Sequence, residues 1–132
     1  NEDVADEETQ AVMSLSDEQL NLLSKLVAAE ARGESYEGQV AVAAVVLNRV
    51  QDSRFPDSIE GVIYQKNAFS VVRDGYINAQ PTEESYKAAK DALYGNDPTN
   101  DAIYFWNPDI STCNWINTLN PHLRIGNHVF AR

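Results

Sequence analysis

LLSKLVAAEARGESYEGQVAVAAVVLNRV, residues 22–50 of a 132-residue chain, decides how the rest is read. Leu22, Leu23, Leu26, Val27 and Ala29 recur at the spacing of an apolar helix face, and Ser16 with Gln19 three positions on forms a capping box ahead of them. This predicts a helix over about 17–31, closed by Gly33. Ser35 is placed to cap a second helix over about 36–52. Its run Val40, Ala41, Ala43, Ala44, Val45, Val46 and Leu47 is apolar on nearly every side, so it is expected to be the hub of the fold. Glu30 follows directly on the apolar face of the first helix. A carboxyl group there is partly desolvated, which disfavours its charged form and lifts its pKa toward the ~6 to 7 of a general acid. The plainer alternative is a solvated glutamate at a helix end.

Outward from this pair, Pro56 and Asp57 lead into a short third helix, SIEGVIY, and Thr82 caps a fourth, EESYKAAKDALYG, ending at Gly95. Residues 66–80 read as loop with a short strand at 70–73. The turn cluster NDPTN at 96–100 leads into a strand at 102–106, with 125–130 as its antiparallel partner. The expected fold class is α+β, a mainly helical body around a buried central helix with a small antiparallel β-hairpin or sheet. There is no internal repeat or low-complexity tract.

The length fits one domain. The formal charge is −10, yet seven of the twenty acidic residues lie in the first eighteen positions, which hold no Lys or Arg. The thirteen remaining acids against ten bases leave −3. Residues 1–15 are therefore expected to be an acidic linker or flexible lead-in, and residues 16–132 the folded domain. No basic patch supports nucleic-acid binding, and no apolar run reaches the length of a membrane span. The single cysteine, Cys113, excludes an intrachain disulfide and a thiolate metal cluster, and is expected to be a small buried residue. His122 and His128 have no metal-ligand spacing, so no metal or other cofactor is expected. His128, in an apolar strand, is read as a satisfied structural histidine.

AEARGE at 29–34, YEGQVAVAAVVLNRV at 36–50, FPDSIEGVIYQ at 55–65, AFS at 68–70, DGYIN at 74–78, AIYFWNP at 102–108, WI at 115–116 and RIGNHVFA at 124–131 stand in this order. In these blocks the chain resembles the spore cortex-lytic enzyme and cell-wall hydrolase family of spore-forming bacteria, over roughly residues 19–132. The resemblance implies a lysozyme-like core and cleavage of peptidoglycan glycan strands, with Glu30 as the catalytic residue. It further implies a monomer acting outside the cytoplasm, in the spore envelope or cell wall. In that family the catalytic domain commonly follows a secretion signal and a peptidoglycan-binding domain, so the start at Asn1 is expected to be a processing or cut boundary. The chain departs from the family pattern around Cys113 and Asn114 and over 117–122, which weakens any binding claim for the 109–123 loop.

Glycoside cleavage needs an acid at the leaving oxygen and a group that captures the oxocarbenium-like centre. Glu34 and Glu37 are candidate second carboxylates, or simply acids favoured by the N-terminal dipole of the second helix. In a lytic transglycosylase the C6 hydroxyl of the muramic acid is the nucleophile. Glu30 then serves as acid and base, and the product is a 1,6-anhydromuramic end. The resemblance favours this route. Arg32 is open to an ion pair or a substrate contact. Sugar-binding candidates are the aromatic residues Phe69, Tyr104, Phe105 and Trp106, with Tyr104 and Asn107 preferred at a strand-to-turn exit and Ser70 as a hydroxyl partner, although aromatic strands more often serve the core. The alternatives are a water-using muramidase or amidase of the wall, or a peptidoglycan-binding module without turnover.

Overall fold

The computed structural model describes residues 10–132. Among the described residues five α-helices, α1 (Asp17–Glu30), α2 (Tyr36–Gln51), α3 (Ile59–Ile63), α4 (Ser70–Asp74) and α5 (Glu83–Leu93), precede or flank three short strands, β1 (Tyr104–Trp106), β2 (Leu123–Ile125) and β3 (His128–Ala131). Single 3₁₀ turns lie at Tyr76–Asn78 and Ile116–Thr118. The α+β reading holds.

The helix boundaries follow from side chains that answer free backbone groups. The Ser16 hydroxyl accepts from the Gln19 amide at 3.1 Å while the Gln19 side chain accepts from the Ser16 amide at 3.0 Å, closing the predicted box. Ser35, Ser58 and Thr82 cap α2, α3 and α5 in the same way through their hydroxyls. Beyond α1 the chain reverses at Gly33, whose φ of +78° suits a residue without Cβ.

Eleven of the sixteen residues of α2 are buried, and α1, α3, α5, β1 and β2 all pack on it. Its core partners include Leu23, Leu26 and Val27 of α1 and Val62 and Ile63 of α3, each fully buried. Truncating such a leucine to alanine costs about 2–5 kcal/mol. Two polar residues near the end of α2 tie it to the sheet. Asn48 Nδ2 donates to the Ala102 carbonyl at 2.9 Å, and Arg49 Nε to that of Ile103 at 2.7 Å. These bonds satisfy carbonyls at the buried entry to β1.

The sheet order is β1-β3-β2, with both pairings antiparallel and Phe105 opposite Phe130. All four β3 residues are buried because both faces are covered. Phe130 packs with Ala41 and Val45 of α2 on one side. Val129 and Ala131, with Trp106, pack under Ile116 and Leu119 of the 107–122 loop on the other.

Two local expectations need correction. Residues 70–74 form a helix, not a strand, entered at extended Phe69 and ended by Gly75 at φ +85°. The expected strand at 125–130 is two strands: Gly126 (φ +60°) and Asn127 form a two-residue turn, so that Ile125 pairs directly with His128. Positive φ at the first turn residue alone is the pattern of a type II′ hairpin. Of the expected lead-in 1–15, residues 1–9 lie outside the described residues. Val12 donates its amide to the Leu93 carbonyl at 2.8 Å, and Met13 and Leu15 pack on the core.

Candidate active site

Three segments meet where α1 ends: its last residues, the approach to α4, and the loop leaving β1. Between them lies a cavity of about 590 Å³, lined among others by Glu30, Arg49, Phe69, Ser70, Phe105 and His128. Among the described residues Glu30 is the only carboxylate in its lining. The apolar face of α1 carries Glu30 to the edge of the core, and burial pushes its pKa up to about 7, partly countered by the positive charge of Arg49. Burial thus favours the protonated form of Glu30 toward neutrality, as a general acid requires.

Arg49 escaped the sequence reading. It is buried, with its guanidinium 5.0 Å from the Phe55 ring centroid, 5.3 Å from that of Phe69 and 5.8 Å from that of Tyr104. Burial lowers its pKa to about 10, which leaves it charged at neutral pH. It forms no ion pair with Glu30 among the described residues, so its field tempers the acid without fixing it as a carboxylate. The signal was present in the sequence, since a buried-type helix seldom carries an arginine without a reason.

Phe69, Ser70 and Asn107 line the same cavity. Phe69 is buried, its ring centroid 6.3 Å from that of Phe105, while Ser70 is exposed at the start of α4. Asn107 Oδ1 accepts from the Asp109 amide at 2.9 Å, turning the chain out of β1. Tyr104 is not among the lining residues. Its ring packs against Phe55 at 6.0 Å and the exposed Trp115 at 5.4 Å. Trp106, two residues on and at the strand end, reaches the cavity instead.

Glu34 and Glu37 do not line the cavity either. Glu34 accepts from the Asn127 side chain at 2.9 Å and from its backbone amide at 3.3 Å, which clamps the β2–β3 turn to the α1–α2 connection. The 109–123 loop, for which the departure from the family pattern weakened a binding claim, supplies one wall through Ile110, Ser111, Thr112 and Cys113. Cys113 is exposed, not buried, because the loop lies over the sheet and outside the core. His122 is taken up by the Thr99 carbonyl at 2.7 Å. His128 is not the satisfied residue expected: its Nδ1 is buried without a partner among the described residues. Among the described residues no group of three or more His, Cys, Asp or Glu could hold a metal ion, and no helix is long and apolar enough to cross a membrane.

The chain is 45% identical over 117 residues to a spore cortex-lytic enzyme of Oceanobacillus iheyensis and 48% identical over 116 residues to that of Bacillus subtilis. These matches take in 89% and 88% of the chain but only 42% and 38% of those proteins' own lengths. The fold superposes on the catalytic domain of the Bacillus cereus SleB protein with a TM-score of 0.85 at 44% identity, covering 92% of this chain and 95% of that one. The catalytic domain of the germination-specific lytic transglycosylase SleB from Bacillus anthracis gives 0.86, also at 44%, covering 90% of this chain and 98% of that one. The model of the cell wall hydrolase family matches residues 33–131, and on these grounds the chain belongs to that family.

Proposed function

We propose that this chain is a lytic transglycosylase of peptidoglycan. It cleaves the β-1,4 bond between N-acetylmuramic acid and N-acetylglucosamine, leaving a 1,6-anhydromuramic end, in spore cortex broken down during germination. The observation that carries this reading is that Glu30 is the single carboxylate of the cavity among the described residues. A water-using hydrolase of either stereochemical type needs a second carboxylate about 5 to 9.5 Å from the first, and Glu34 is engaged elsewhere.

Protonated Glu30 donates to the leaving glycosidic oxygen. The resulting carboxylate then takes the proton of the C6 hydroxyl as that oxygen closes on C1. The nucleophile is already part of the substrate, so its capture carries little entropic cost. Arg49 favours the carboxylate that forms between the two steps. Phe69, Ser70 and Asn107 hold the sugars, Phe69 and Phe105 offering apolar faces and the other two hydrogen bonds. The site of action is extracytoplasmic, in the spore envelope or wall, as the relatives' names suggest.

The test is mass spectrometry of muropeptides released from purified cortex and from vegetative sacculi by the chain and by its Glu30→Gln variant. Anhydromuramic ends from the parent alone are expected. Reducing ends would mean that water is the acceptor, cleaved stem peptides would make it an amidase, and binding without products from either protein would leave a wall-binding module.

A further inference from the structure

The cavity holds a second polar group that the protein leaves unanswered. His128 is only 9% exposed. Its ring stands edge-on to Phe105 at 5.1 Å and to Phe130 at 6.5 Å. A phenyl ring would fill this aromatic niche without a buried polar atom, so the imidazole costs stability where it sits, about 1–3 kcal/mol for an unsatisfied group. Nδ1 is closed off with no partner. The residue nonetheless lines the cavity, so Nε2 is the nitrogen open to it.

Its protonation state follows from these surroundings. The charged groups around it are Glu34 in the α1–α2 connection and, across the cavity, Glu30 of α1 and Arg49 of α2. Burial lowers the pKa of the ring and outweighs the opposing pull of Glu34, so the ring is neutral at pH 7. A proton on Nδ1 would be a buried N–H with no acceptor. A proton on Nε2 leaves only a lone pair buried and aims the N–H into the cavity. The ring is also held in place: Glu34 fixes Asn127, the residue before it, through two hydrogen bonds, and His128 itself pairs with Ile125.

We propose that His128 is a substrate-binding residue whose Nε2–H donates to an uncharged acceptor oxygen of the N-acetylated sugar bound beside Glu30. This rests on the reading of the cavity as a glycan cleft. Bound glycan supplies the partner that Nε2 lacks among the described residues, while the closed-off Nδ1 sets the tautomer that leaves the proton on Nε2.

The test uses soluble peptidoglycan oligosaccharides with the parent chain, His128→Phe, His128→Gln and Glu30→Gln. His128→Phe should fold at least as stably as the parent and raise KM by about tenfold with little change in kcat, the mark of lost binding common to ground and transition states. His128→Gln, whose amide N–H reaches about as far as Nε2, should recover most of the loss. Nitrogen-15 NMR of the parent should find the proton on Nε2, and adding oligosaccharide to Glu30→Gln should shift the Nε2 resonance. A folded His128→Phe protein with unchanged KM, or an Nε2 signal indifferent to bound glycan, overturns the role of His128 while Glu30-dependent cleavage persists. Absence of cleavage by the parent overturns the glycan reading itself, and this role with it.

Discussion

Glu30 and Glu34 stand four residues apart where α1 gives way to α2, in opposite surroundings. Glu30 lines the cavity, its carboxyl makes no hydrogen bond among the described residues, and burial pushes its pKa up to about 7. Glu34 has two donors from Asn127 and fixes a hairpin. The same side chain thus holds its proton more readily where burial raises its pKa and becomes a structural clasp where donors are supplied. The turn through Gly33 separates the two environments within one peptide segment.

The sharpest break in this comparison is Glu30→Gln. Loss of general acid catalysis should cut glycan cleavage by about a thousandfold or more. Stability should move the other way. The folded-state pKa of about 7 lies above the ordinary 4.5, so between these values the folded protein binds more protons than the unfolded chain. The parent's stability is then full below about 4.5 and falls as pH rises through about 7, while the variant lacks this slope. Above neutrality Glu30→Gln should be more stable than the parent by about 3 kcal/mol, scaled from 1.4 kcal/mol per unit. Denaturant titrations at pH 4 and 8 check this, and parallel pH dependence in the two proteins would contradict it. Activity of the parent should fall above about pH 7, as the acid loses its proton.

Next in size is Arg49→Met. Removing the buried charge takes away the influence that lowers the Glu30 pKa, so the alkaline limb of the activity profile should move upward. The Ile103 carbonyl also loses its donor, at a cost of about 1–3 kcal/mol. An unmoved alkaline limb in a folded variant would show that Arg49 serves the sheet alone.

Gly126→Ala probes the other side of the comparison. A Cβ there would come within 2.5 Å of Glu34 Oε1, on a backbone at φ +60°. The expected loss is about 1–2 kcal/mol. In a Glu34→Ala background the contact is gone and part of the loss should disappear, which a double-mutant cycle of thermal midpoints measures.

These four residues also mark what the sequence could disclose. Ser16, Gln19, Ser35 and Thr82 announce their helices because capping is local, and the apolar run of α2 announces its burial. The apolar face leading up to Glu30 signalled partial burial, but position alone favoured a solvated glutamate and the family resemblance singled it out. Residues 70–74 misled, since Val71 and Val72 are β-prone and a five-residue helix is decided by its ends, at Phe69 and Gly75. The Gly126–Asn127 pair is a hairpin signal that the sequence reading passed over inside an apolar run. The clasp of Glu34 on Asn127 spans 93 positions, and the cavity wall from the 107–122 loop depends on how that loop crosses the sheet. Neither has a local signature.

Glu34→Gln should have the smallest effect of all and decides the most. If Glu34 were a second catalytic carboxylate, removing its charge would abolish turnover as thoroughly as changing Glu30. As a clasp it should tolerate the change. The glutamine oxygen can accept from one Asn127 donor, and a flipped Asn127 amide can accept from the new NH₂, so the bonds survive with their charge assistance lost. Rates within about threefold of the parent are expected, with stability lowered by about 1 kcal/mol or less. The released glycan ends should be the same as the parent's. A thousandfold loss in a folded Glu34→Gln protein would place two carboxylates in the chemistry, and the contrast between these neighbouring glutamates would become a division of catalytic labour.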